Sequence, residues 1–335
     1  MPELSLIVPH HNHLQCLPHL LDSVLAQDFK DIEVVLVDDC SDEPCLPLVE
    51  AYRTKGLNIT LLPHTAPIYT MRARLEGMRA AKGNIIGFAD ADDLIWGTES
   101  LGKNVALFQR EQPDILHFRT ARINADGSFA AWFLTMDPPV EHLTGQDIFQ
   151  TYVTSPNFQQ QSTVWNKFLS RSVALKACDA LERSSVRRFV EDACICLTTA
   201  FHAQKYVGSP HAAYGYAYDF SNERMKFAEG PERATYVWHM LQELPAYFEQ
   251  HGCPQSLQDA LRNVLTEHLS VKVGHASTAA VNKDGMIISD ATLDAMLRHT
   301  DARTFIKVLL LGNRHNAAKI LGCLQTLQPK PNKPF

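Results

Sequence analysis

Asp90-Ala91-Asp92-Asp93 puts three carboxylates within four residues. Charges that close repel one another unless a cation or a solvated turn relieves them. Hard divalent cations such as Mn²⁺ or Mg²⁺ take a few carboxylate oxygens together with substrate phosphates. The stretch is therefore a candidate metal site that grips a diphosphate, with Asp92 as ligand and Asp90 or Asp93 beside it. The competing reading is a solvated acidic turn that caps the next helix. A second acidic pair, Asp38-Asp39, is suited to a nucleoside, and the cations Arg72 and Arg74 to a diphosphate. His10, His11 and His13 cluster after the first apolar run, but no carboxylate or cysteine at ligand spacing completes a zinc site. They are expected to line a nucleotide pocket.

Apolar runs must position these groups. Leu4 to Pro9, Glu33 to Asp39, Asn58 to Leu62, Asn84 to Ala89 and Asp114 to Phe118 read as strands. Helical spacing separates them at Leu17–Leu25, Leu48–Tyr52, Thr70–Ala81 and Leu101–Gln112. Alternating strands and helices imply βαβ units and a mostly parallel α/β sheet flanked by helices, a Rossmann-like fold. Both acidic clusters then lie at carboxyl ends of strands, where such sheets bind ligands. Asp126-Gly127 signals a hairpin. Thr144–Tyr152 and Glu191–Ala203 read as helices, and Thr163–Leu169 as a further strand. Beyond about residue 222 the pattern is mostly helical, clearest at Tyr236–Phe248 and Leu257–Val273. The expected division is an α/β domain over 1–222 and a helical C-terminal region over 223–335.

Composition narrows the function. The 335 residues are 45% hydrophobic and 20% charged, as in soluble globular proteins. A net charge of −6 argues against nucleic acid as partner. The eight cysteines show neither disulfide nor zinc spacing. No glycine fingerprint follows the first strand and no phosphate loop exists, which argues against a dinucleotide enzyme and a P-loop nucleotidase. No leader precedes Leu4 and no apolar stretch approaches transmembrane length, so a cytoplasmic location is expected.

The order of these segments resembles the family 2 glycosyltransferases, which have the GT-A fold. Leu6-Ile7-Val8-Pro9 with Asn12 is similar to the family's opening strand and turn. Val37-Asp38-Asp39-Cys40-Ser41 resembles its Val-Asp-Asp-Gly-Ser segment, with cysteine in place of glycine. Arg72-Ala73-Arg74 with Gly77, Ala81 and Gly83 resembles the helix ahead of the fourth strand, with Leu75 replacing an asparagine. Asp90-Ala91-Asp92 resembles the Asp-x-Asp metal motif. Trp165-Asn166-Lys167-Phe168 and Val190-Glu191-Asp192 resemble two later segments. The likeness covers roughly residues 4 to 220.

The resemblance implies an inverting, metal-dependent transfer from a nucleoside-diphosphate sugar, with UDP the commonest nucleotide, to a hydroxyl of a glycan or lipid-linked acceptor in surface polysaccharide synthesis. It implies nucleotide contacts from Pro9, His10, Asn12, Asp38, Asp39, Arg74, Asp90 and Ala91. Asp39 reads the base, and the metal sits on Asp92 with Asp90 or Asp93. It makes Asp192, or its neighbour Glu191, the base that takes the acceptor proton. A sugar nucleotidyltransferase and a non-catalytic nucleotide-sugar-binding subunit are the alternatives. From Ala302 onward the chain is basic with apolar faces, which suggests either a helical cap or peripheral contact with an anionic membrane.

Overall fold

The apolar runs that lead into the acidic turns become neighbouring parallel strands. β1 (Leu4–His10) lies between β2 (Ile32–Asp38) and β4 (Ile85–Phe88), with β3 (Ile59–Pro63) outside β2. Parallel pairing brings all four carboxyl ends to one edge of the sheet, the edge at which open α/β sheets bind ligands. This computed structural model describes residues 1–124, 126–155, 162–217 and 230–266.

The remaining strands are β5 (Leu94–Ile95), β6 (Ile115–Ile123), β7 (Phe129–Trp132), β8 (His142–Thr144), β9 (Lys167–Ser170) and β10 (Lys205–Ala217). The strand order is β3-β2-β1-β4-β9-β6-β10-β5, with β7 on β6 and β8 on β10. β9 runs antiparallel to both of its neighbours. The sheet is thus parallel over β3-β2-β1-β4 and mixed beyond.

Successive side chains of a strand face opposite layers, and both layers here are helical. Leu6, Val8, Val34 and Leu36 pack with α1 (Leu17–Leu25), α2 (Leu46–Thr54) and α4 (Ser100–Glu111). Ile7, Val35, Val37 and Phe88 face α3 (Tyr69–Ala80), α5 (Gln146–Thr154), α6 (Arg171–Leu181) and α7 (Glu191–His202). The central strands read as near-continuous apolar runs because both faces are covered. α8 (Gly230–Gln250) and the helix over residues 255–266, α9, join the second layer through Trp238, Leu241, Phe248, Leu257 and Leu261. Among the described residues no helix is long and apolar enough to cross a membrane.

Three segments differ from the sequence reading. Residues 163–166 form a turn and the strand starts only at Lys167, because the Lys167 N–H bonds back to the Val164 carbonyl. α6, absent from that reading, is capped by Ser170, whose side chain accepts from the Val173 N–H. β10, also absent from that reading, runs 13 residues through register shifts near Pro210. The boundary expected at residue 222 and the basic segment after Ala302 lie outside the described residues.

Candidate active site

At the end of β1, His10 is buried, and neither ring nitrogen has a protein partner among the described residues. Burial lowers its pKa, against an opposing pull from Asp38. Asn12 stitches this end to the turn after β2. Its backbone N–H donates to Ser41 Oγ at 3.0 Å, its amide donates to Asp42 Oδ2 at 3.0 Å, and its amide oxygen accepts the Asp42 N–H at 2.8 Å. Asp38 accepts from the Ser41 N–H at 3.1 Å and from Cys45 Sγ at 3.5 Å, so it shapes the same turn. Asp39 holds the start of α3 by accepting the Ile68 N–H at 2.5 Å and the Tyr69 N–H at 2.9 Å. Each of its oxygens retains a further acceptor site.

Backbone strain collects around these loops. Among the described residues, four of the five non-glycine residues with positive φ are Asn12, Cys40, Tyr69 and Phe189. They follow β1, follow β2, open α3 and precede α7. The left-handed conformation costs a non-glycine residue about 1–2 kcal/mol, and such outliers persist where the surroundings over-determine them. Cys40, at φ 59°, stands where the resembling segment has glycine.

The turn after β4 separates its three carboxylates by role. Asp93 is buried; it accepts the Tyr214 hydroxyl at 2.6 Å and the Ala217 N–H at 2.7 Å. Burial, then Asp90 and Asp92, push its carboxyl well above the usual range. The Tyr214 hydroxyl also accepts the Asp90 N–H at 3.0 Å. Asp93 therefore anchors the turn. Asp92 is exposed and, its own N–H apart, accepts no hydrogen bond among the described residues. Desolvation and the charge of Asp90 raise its pKa, as expected of a carboxylate facing another without a cation. Ala91 between them is buried.

Asp90 leads to the centre of the site. Its Oδ1 accepts from Arg74 at 2.8 Å. The Arg74 guanidinium, 3% exposed, also pairs with Glu191 Oε1 at 3.0 Å and contacts Asp192 Oδ1. One buried cation thus ties the β4 turn to the first turn of α7. Glu191 is buried, and its Oε2 has no partner among the described residues. Burial raises its pKa, and Arg74 opposes the rise. Asp192 is the more open of the pair, with 22% of its side chain exposed against 10%. Its Oδ2 accepts the Val164 N–H at 3.4 Å. Arg72, by contrast, lies at the surface against Glu182.

Sequence reading missed Tyr214 and Val164, and quoted Trp165, Asn166 and Lys167 only as part of a resembling segment. Trp165 stacks on Tyr214 with ring centroids 4.9 Å apart. Lys167, fully buried, donates to the Thr163 carbonyl at 2.6 Å and Asn166 Oδ1 at 2.8 Å. These contacts hold the turn that presents the Val164 N–H to Asp192. Tyr214-Gly215-Tyr216 on a strand carries no local mark of such a role.

Among the described residues no preformed cluster of three metal-binding side chains occurs. The residues nonetheless fit a Mg²⁺- or Mn²⁺-type ion. Asp92 offers a carboxylate with no competing partner and Asp90 keeps one oxygen clear of Arg74, the hard, sparse donor set that such ions complete with phosphate oxygens and water.

Residues 5–180 match the family model described as Glycosyl transferase family 2. Over 167 residues the chain is 32% identical to the poly(ribitol-phosphate) beta-N-acetylglucosaminyltransferase TarS of Staphylococcus aureus, covering 49% of this chain and 28% of that protein. It is 27% identical over 202 residues to the amylovoran biosynthesis glycosyltransferase AmsB of Erwinia amylovora, covering 58% and 62%. The chain thus spans less than two thirds of these relatives. The same fold occurs in S. aureus TarS 1-349 in complex with UDP-GlcNAc, with a TM-score of 0.55, 18% identity, and coverage of 95% of this chain and 92% of that one. It also occurs in the mannosyltransferase PcManGT of Pyrobaculum calidifontis in complex with GDP-Man and Mn²⁺, with a TM-score of 0.53, 15% identity, and coverage of 98% and 88%. With the family model matched over more than half of its length, the chain belongs to glycosyl transferase family 2.

Proposed function

We propose that the chain is a metal-dependent, inverting glycosyltransferase that moves a sugar from a UDP-sugar to a hydroxyl of a glycan or lipid-linked acceptor in surface polysaccharide synthesis. The observation that carries this reading is the Arg74 cluster. It brings Asp90 of the candidate metal turn and Glu191-Asp192 of α7 against a single guanidinium. Donor diphosphate and acceptor base then share one rigid frame.

In this reading His10 and Asp39 meet the nucleoside, with Pro9, Asn12 and Asp38 shaping its loop. Asp92 and Asp90 hold the divalent ion, which when bound neutralises charge on the diphosphate leaving group. Asp93 positions the turn rather than meeting the ion. The acceptor oxygen attacks the anomeric carbon as the bond to the diphosphate oxygen breaks. Asp192, the more open carboxylate, takes the acceptor proton. Arg74 and the Val164 N–H fix its orientation, and Glu191 balances the buried guanidinium. The relatives are named for poly(ribitol-phosphate) glycosylation and for amylovoran biosynthesis, which supports a polymer acceptor.

Calorimetric titration with UDP, with and without Mn²⁺, tests the donor half. Asp92→Ala is expected to abolish the Mn²⁺-dependent part of the affinity and leave the rest. An unchanged metal-dependent affinity contradicts the assignment.

A further inference from the structure

The loop between α6 and α7, residues 182–190, carries Arg183, Arg187 and Arg188 in a chain of net charge −6. With the start of α3 and one face of α8, it walls a cavity of about 630 Å³. Arg72, Arg187, His239, Tyr69, Ser184 and Ser185 line it, and among the described lining residues there is no carboxylate. The nearby carboxylates are already engaged. Glu182 pairs with Arg72 and Arg79. Glu243 accepts from Ser184 Oγ at 2.6 Å and from the Ser185 N–H at 2.8 Å.

Two lining groups have no acceptor among the described residues. The Arg187 side chain makes no hydrogen bond or ion pair with any described residue, and its guanidinium carbon lies 5.2 Å over the Tyr69 ring. The ring nitrogens of His239 likewise bond to no described residue. A guanidinium laid on an aromatic ring keeps its donor fork free and pre-oriented, the geometry that suits phosphate. The backbone around it is fixed: Tyr69 holds a left-handed conformation, and the Met71 N–H donates to the Arg187 carbonyl at 2.8 Å.

Two walls of the cavity belong to segments that also carry site residues. The Tyr69 N–H is held by Asp39, and the Arg187 loop runs directly into Glu191 and Asp192. We propose that this cavity is an anion site that takes a phosphate monoester or diester carried by the acceptor, and so seats a neighbouring hydroxyl toward Asp192. The acceptor part rests on the reading of Asp192 as the base, whereas anion binding stands independently of it.

The test uses the full chain. Inorganic phosphate is titrated calorimetrically in EDTA, at an ionic strength fixed with chloride, so that metal-dependent diphosphate binding does not contribute. Arg187→Gln and His239→Gln are compared with the native protein, and each is also titrated with UDP and Mn²⁺, which reports on folding and on the donor site. We expect saturable phosphate binding that weakens about tenfold or more in Arg187→Gln, as the loss of a charge-assisted hydrogen bond implies, with UDP affinity unchanged. No saturable binding in the native protein, or equal binding in Arg187→Gln, overturns the proposal. So does a parallel loss of UDP affinity, which would assign the cavity to the donor. In a second arm a short glycerol-phosphate oligomer replaces inorganic phosphate. Tighter binding of the oligomer, sensitive to Arg187→Gln, supports an acceptor-borne phosphate. Weaker binding than free phosphate overturns the acceptor part. A native protein that shows no Mn²⁺-dependent UDP binding refutes the reading of a metal-dependent UDP-sugar donor, while the phosphate titration still decides the cavity.

Discussion

Removing one partner from a buried ion cluster leaves the others uncompensated, at a cost of about 3–5 kcal/mol. Arg74 is the shared cationic partner of Asp90, Glu191 and Asp192. Arg74→Met is therefore expected to lower unfolding free energy by about that amount, measured by denaturant titration. Arg74→Lys should recover only part, since an ammonium cannot span the carboxylates as a planar fork does. A stability near native for Arg74→Met would show that the cluster is not closed in solution. The residue types at the site were legible in the sequence, but their division of labour was not. Asp90, Asp92 and Asp93 look alike in a tetrapeptide. Only the partners of Asp93 on β10, Tyr214 and Ala217, take it away from the metal role. Arg74 read as a phosphate contact, and its pairing with Glu191, 117 residues away, leaves no trace in local spacing.

At the scale of elements, the close approach of α3 to the sheet places Arg74. A Cβ on Gly77 would lie 2.5 Å from Ile7 Cγ2, so the helix could not sit where it does. Gly77→Ala should destabilise by about 1–3 kcal/mol through overpacking. By moving α3 it should also lower turnover more than an equally destabilising change on α2. Circular dichroism melts paired with donor-hydrolysis rates check this, and a silent Gly77→Ala would contradict the packing argument. The parallel strands were legible because burial on both faces writes continuous apolar runs. α6 was not, although Val173, Ala174, Ala177, Cys178 and Leu181 keep helical spacing, because its start at Ser170 abuts a strand without a break in polarity. The turn at 163–166 was hidden for a similar reason: Thr163-Val164-Trp165 has strand composition, and hydrogen bonds from Lys167 fold it back.

For the molecule as a whole, stability should carry the signature of a buried lysine. Burial pushes the Lys167 ammonium down to about 8, with Cys196 opposing, against roughly 10.4 in an unfolded chain. Between those values the unfolded state holds the extra proton, so stability rises with pH across that window. The effect should be on the order of 3 kcal/mol in the fully buried limit. Lys167→Met removes that rise, and unfolding free energies of both proteins from neutral pH upward would show it. A native protein with the same pH slope as Lys167→Met would place the lysine in water. The most direct test of the account is turnover in Asp192→Asn, followed as hydrolysis of a UDP-sugar alongside Mn²⁺-dependent UDP affinity. The account predicts a fall in turnover of about 10²–10⁴-fold with UDP affinity near native and Glu191→Gln less impaired. Native turnover in Asp192→Asn would contradict it.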